Sequence, residues 1–293
     1  MALDDRVTDS FLLLSCAPSE PDLIGSPMQP AIKMALRAAR QNSDFLKDQH
    51  ARLEPASQKA DTLLRSVRAI ENTIYERSVD SLHRAYRDHW IAPAGSVESN
   101  DYVQTWHIFP ILGEQNFARG LPEFATAVLQ KINDRPENLV ILCPLTGEEY
   151  AFSRGYGAVL NSRRIRIRSS DHLDQTLLSC NLFTRSQGAD SNLWLDMTGT
   201  LVREGAGLRH TGCAVLDMAR VAGGFLDGVA LVSEERHEQV MATLISQESG
   251  ALSGDLRGNP LSRKSRELLI ANSPIFREIL KQFQPYRQRL TGA

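Results

Sequence analysis

The hydrophobic period of this chain changes partway along, and that change limits the folds open to it. Leu63, Val67, Ile70 and Ile74 step by four, three and four residues, and Val79, Leu82 and Tyr86 carry the stripe toward Trp90. That spacing predicts a long amphipathic helix, with Arg65, Arg68, Glu71, Glu76 and Arg84 on its polar face. An earlier helix is expected over 29–49, where Ile32, Leu36 and Ala39 recur at the same period. Pro93, Gly95 and the polar run to Asp101 read as a linker. Beyond it the period shortens. Short apolar runs at Trp106–Leu112, Leu139–Leu145, Leu193–Met197 and Val229–Ser233 read as strands. Helices are expected over Pro122–Ile132, Cys213–Ala222, Glu235–Ile245 and Ile275–Phe283. Strands separated by helices imply a layered α/β sheet. Arg164, Arg166 and Arg168 alternate with Ile165 and Ile167, so one face of that segment is expected to be basic and the other buried.

Three regions follow: a helical region over 1–95 with a short first strand, an α/β domain over 96–250, and a basic tail with a helix over 251–293. Net charge is -2, so no global field favours nucleic acid or an anionic membrane. The tail is the exception, carrying eight Lys or Arg against three acids. The arginine face with this tail permits a polyanion reading. No aromatic residues interleave with the arginines, so a solvated strand face is expected and nucleic acid is not. Cys16, Cys143, Cys180 and Cys213 form no CxxC pair, which argues against a thiolate zinc site and for reduced core thiols. The run Phe11–Cys16 ends like a lipoprotein cleavage site, but it is too short and its leader is acidic; a buried first strand is expected. No apolar run is long enough to span a bilayer, and the expected location is the cytoplasm.

Three stretches in one order carry a family resemblance. They are Val140–Glu148, then Gly199 to Thr211 with Arg203, Arg209 and His210, then Leu216–Gly223 with Asp227–Val229. Preceded by Pro122 and Glu123, this arrangement resembles 3,4-dihydroxy-2-butanone 4-phosphate synthase over residues 106–245. The resemblance implies that family's mixed α/β fold, a homodimer, a phosphorylated small-molecule ligand and Mg2+. It casts Glu114 and His210 as catalytic, His210 as a metal ligand, and Arg203 and Thr211 as substrate-binding. The family's acidic loop is reduced here to Glu114, and the Glu after its His-Thr pair is Gly212, so the lyase activity is expected to be lost or altered. The alternative is a non-enzymatic assembly protein using the 58–90 helix and the basic tail. A second stretch, Leu193–Leu201 with Asp196, is similar to the nucleophile loop of haloacid-dehalogenase-type phosphotransferases. The absence of Lys between Ser233 and Asp255 weighs against it.

Overall fold

The structure is a computed structural model that describes residues 30–54, 60–93, 102–181, 191–233, 235–262 and 265–292. The expected first strand at Phe11–Cys16 and most of the 93–101 linker lie outside the described residues.

Two helices begin the described chain, α1 (Pro30–Ala51) and α2 (Ala60–Ala85). Their buried positions are Ile32, Leu36, Ala39 and Leu46 on α1, and Leu63, Val67, Ile70, Ile74 and Leu82 on α2. They follow the expected stripes through Ile74 and Leu82; near the end of α2 the buried position is Ser78 and Val79 is half-buried, and Tyr86 and Trp90 lie beyond the helix. They lie against a seven-stranded sheet in simple order: β1 (Trp90–Pro93), β2 (Gln104–Leu112), β3 (Ala125–Ile132), β4 (Arg135–Cys143), β5 (Glu148–Ser153), β6 (Gly157–Leu160) and β7 (Arg163–Ile165). Only β1 and β2 are parallel within it. The short α3 (Glu114–Ala118) follows β2.

A second sheet has the order β11-β12-β10-β8-β9, formed by β8 (Leu177–Asn181), β9 (Gly207–Arg209), β10 (Gly228–Val232), β11 (Leu252–Gly254) and β12 (Glu267–Ala271). Helices α5 (Ala214–Ala222) and α6 (Arg236–Ser249) lie between the two sheets. Helices α4 (Ser191–Arg203) and α7 (Ser273–Gln282) cover the outer face of the second.

Strand periodicity explains this layering. On β4, Val140 and Leu142 pack under α1, while Leu139, Ile141 and Cys143 face α5 and α6. On β12, Leu268 and Ile270 face the inner layer, and Leu269 and Ala271 face α4 and α7. Strands covered on both faces need apolar residues at every position. That requirement explains the first of two expectations that fail. Residues 122–132 contain no helix; β3 runs there with Ala127, Val128 and Leu129 all buried, and a continuous apolar run cannot be told from a helix by period alone. Residues 193–197 contain no strand either. They open α4, whose buried Leu193, Trp194, Met197 and Leu201 keep helical spacing through Gly199. Thr198 and Gly199 sit inside the helix, where Gly costs about 1 kcal/mol relative to Ala.

The α/β class with mixed sheets stands. No helix among the described residues is long and apolar enough to cross a membrane. Because the two faces of the first sheet serve different layers, Ile108→Ala toward α1 and Leu129→Ala toward α5 should each cost about 2–5 kcal/mol in urea unfolding. Leu195→Ala, on the exposed face of α4, should stay within about 0.5 kcal/mol.

Candidate functional site

The C-terminal end of β2 meets α3, the 209–213 turn and the first turns of α5 and α6. β2 loses its regular register between Phe109 and Leu112, and bulges of this kind re-aim side chains beside functional sites. Gly113 then turns left-handed at φ 83; a Cβ there would lie 2.8 Å from the Glu123 carbonyl and 3.2 Å from Cys213 Cβ. Only glycine fits so close an approach.

Asn116 ties the turn together. Its Nδ2 donates to the Glu123 carbonyl at 2.7 Å and to the Thr211 carbonyl at 2.8 Å. Thr211 Oγ1 in turn donates to Asp217 Oδ2 at 2.5 Å, and Ser179 Oγ donates to the same oxygen at 2.6 Å. Asp217 is fully buried, and its Oδ1 has no hydrogen-bond partner. Burial raises its pKa, and the two hydroxyls pull it back.

The floor of this region is apolar. Phe109 and Leu112 belong to the inner core, and the His237 ring lies 4.7 Å from Phe109. Burial lowers the His237 pKa to about 4, so the ring is neutral near pH 7. Burial also pushes the Cys213 thiol up to about 12 and the Cys143 thiol higher still, so neither supplies a thiolate. At the rim, Glu71 of α2 faces Glu114 of α3. Burial first, then the Glu114 charge, raises the Glu71 pKa to about 7.

The sequence-derived residues divide across the molecule. Thr211 is at the centre of this network. Glu114 is exposed at its rim. His210 is exposed, and its Nδ1 is 3.2 Å from the Cys180 carbonyl, the contact of a positioned loop histidine. Arg203 stands at the end of α4, where its guanidinium donates to Thr200 of the same helix at 2.9 Å. Asp196 also lies within α4 and pairs with Arg289 at 3.3 Å, so it is no strand-end nucleophile. Asp217, Asn116, Glu71, Phe109 and His237 were not singled out from sequence. Asp217 had a visible signal, a lone acid in an apolar helical run; the others acquire meaning only through partners far away in the chain.

A family model for the inositol monophosphatase family matches residues 27–288. The chain belongs to that family. It is 32% identical over 266 residues to the Nus factor SuhB of Pseudomonas aeruginosa, covering 88% of this chain and 97% of the relative. It is 29% identical over 260 residues to the Nus factor SuhB of Escherichia coli, covering 86% and 95%. Among solved structures, the extragenic suppressor protein SuhB of Bartonella henselae matches with a TM-score of 0.76 at 20% identity, covering 87% of this chain and all of that one. The inositol monophosphatase of Anabaena matches at 0.74 and 22%, covering 87% and 95%.

This membership overturns the butanone-phosphate synthase resemblance, along with the lyase chemistry and riboflavin-pathway role it implied. The resembling pieces are a strand, a helix of small residues packed between sheets, and glycine turns. Any layered α/β fold calls for these, and their shared order was coincidental. The assembly reading built on the 58–90 helix and basic tail gains no support: the apolar stripe of that helix is consumed by α1 and the first sheet.

Inositol monophosphatase family members are Mg2+-dependent. The residues here do not fit that ion. A hard divalent cation takes about six oxygen ligands, whereas the bulged end of β2 offers Phe109, Pro110, Ile111 and Leu112. Among the described residues, no group of three or more His, Cys, Asp or Glu could hold a metal. Beside Glu114, the Glu71 carboxyl takes up a proton near neutral pH, raised first by burial and then by the Glu114 charge.

The sign of that shift is testable. A carboxyl whose folded pKa is raised favours folding below its ordinary pKa near 4.5, and that contribution is lost as pH rises toward 7. Glu71→Gln should therefore raise the melting temperature at pH 8 and change it little at pH 4.5, as followed by thermal unfolding across that range.

Proposed function

We propose that this protein acts as a SuhB-like Nus factor, a partner of the transcription machinery, and that it does so without Mg2+-dependent phosphatase turnover. The end of β2 carries this reading: where the fold converges a strand end and helix N-termini, the chain places Phe109 and Leu112 in the core, and among the described residues no group of three or more His, Cys, Asp or Glu could hold a metal. Metal-assisted phosphoryl chemistry needs a cation to neutralise charge and orient the attacking water. Similarity over 97% of the Pseudomonas Nus factor supports the transcription role, because the whole relative, not one segment, is matched.

Binding of a phosphorylated small molecule is a separable property of this reading. The first turn of α5, beside Thr211, would receive the phosphate. The homodimer expected from the sequence belongs to the same proposal, and light scattering checks it directly.

Two measurements decide the reading. With inositol 1-phosphate and millimolar MgCl2, phosphate release should stay at background, and MgCl2 or EDTA should leave the melting temperature unchanged. In an Escherichia coli strain lacking its own SuhB, this chain should restore read-through of a transcription-termination reporter. Mg2+-dependent turnover, or a reporter that stays silent with the protein folded and expressed, would overturn it.

A further inference from the structure

The arginine face of β7 acquires, in three dimensions, the aromatic residues that its own sequence lacks. Between Glu149 and Asp171 there is no acidic residue, and the stretch carries Arg154, Arg163, Arg164, Arg166 and Arg168. β7 is the edge strand of the first sheet. Ile165 and Ile167 pack onto the inner core, and Arg164, Arg166 and Arg168 stand in solvent, as alternation requires.

Exposed aromatic residues occur in the segments that adjoin the two ends of this row. The Arg164 guanidinium donates to the Tyr156 carbonyl at 2.8 Å, and Tyr156 is 44% exposed. At the other end, Arg168 Cβ would lie 3.6 Å from a Cβ at Gly224, and the next residue, Phe225, is 55% exposed. Among the described residues, no hydrogen bond or ion pair engages the Arg163 or Arg166 guanidinium. The Arg168 guanidinium reaches only to 4.0 Å from Asp227 and remains 63% exposed. Edge protection would account for charged side chains on β7. It does not account for a large aromatic left in water on the β-turn side of α5.

We infer that the Tyr156–Arg164–Arg166–Arg168–Phe225 surface binds single-stranded RNA, its arginines following the phosphates and its aromatics stacking on unpaired bases. Single strands are held by this combination, a cationic track with aromatic platforms. A duplex hides its base faces and has no use for Phe225. The choice of RNA rests on the transcription role proposed above; the cationic and aromatic geometry stands without it.

Fluorescence anisotropy of the full chain with a labelled 12-nucleotide oligouridine tests the inference. Binding should weaken with salt, and the log–log slope should shrink by about 0.7 for each contacting arginine removed, as in Arg166→Ala. Phe225→Ala should weaken binding roughly tenfold, and Phe225→Tyr should restore it, which a folding defect would not allow. No binding at low salt, equal binding of duplex RNA, or polyglutamate binding as tight as oligouridine with no effect of Phe225→Ala would each overturn it. Loss of oligouridine binding with reporter read-through intact sinks this inference alone. A silent reporter with oligouridine binding intact sinks only the preceding reading.

Discussion

Every layer of the molecule is held in register by what α5 must satisfy. A helix pressed between two sheets has no solvent to receive its polar groups, so burying them unpaired would cost several kcal/mol. Asp217 meets this by accepting from Ser179 on the second sheet and from Thr211 on the turn before the helix. Arg220 meets it at the other end, reaching Glu148 at 3.3 Å on the first sheet. The remaining positions, Val215, Leu216, Met218, Ala219, Val221 and Ala222, are apolar and buried. A single helix thus bolts β8 to β5, and the same carboxyl that joins the sheets also holds the turn beside the candidate site.

The site inherits its shape from this constraint and its chemistry from what fills it. Gly113 and Asn116 keep the backbone turn after β2 against Glu123 and Thr211. Beside that turn stand Phe109, Leu112 and a neutral His237. An apolar floor stabilises the fold by removing surface from water, and Phe109 and Leu112 offer no oxygen to a hard cation. The fold of the family and the chemistry of its sites are set by different residues, since function lives in sites grafted on a fold.

Much of the architecture was legible. The stripes of α1 and α2, the β2, β4 and β10 strands, and helices α5, α6 and α7 all follow from period and length. β3 and α4 depart from the sequence expectation for two different reasons. A strand buried on both faces loses its two-residue alternation, and a helix containing Thr198 and Gly199 carries turn residues it does not use as a turn. The resemblance drawn from Gly199 to Val229 failed with α4, because its first segment lies in a helix on the far side of the second sheet. Of the residues first assigned to a site, Thr211 lies at the centre of the network and Glu114 at its rim, whereas Arg203 bonds within its own helix.

Local spacing alone settled that this chain builds layered sheets and helices, because burial on one face or two is written in the order of apolar residues. It settled also that Arg164, Arg166 and Arg168 would face water. It could not place Gly224 beside Arg168, Glu71 beside Glu114, or His237 against Phe109. Each of those pairs joins residues separated by dozens of positions. Their proximity comes from the stacking of two sheets around α5 and α6, a long-range consequence of packing that no window along the chain contains.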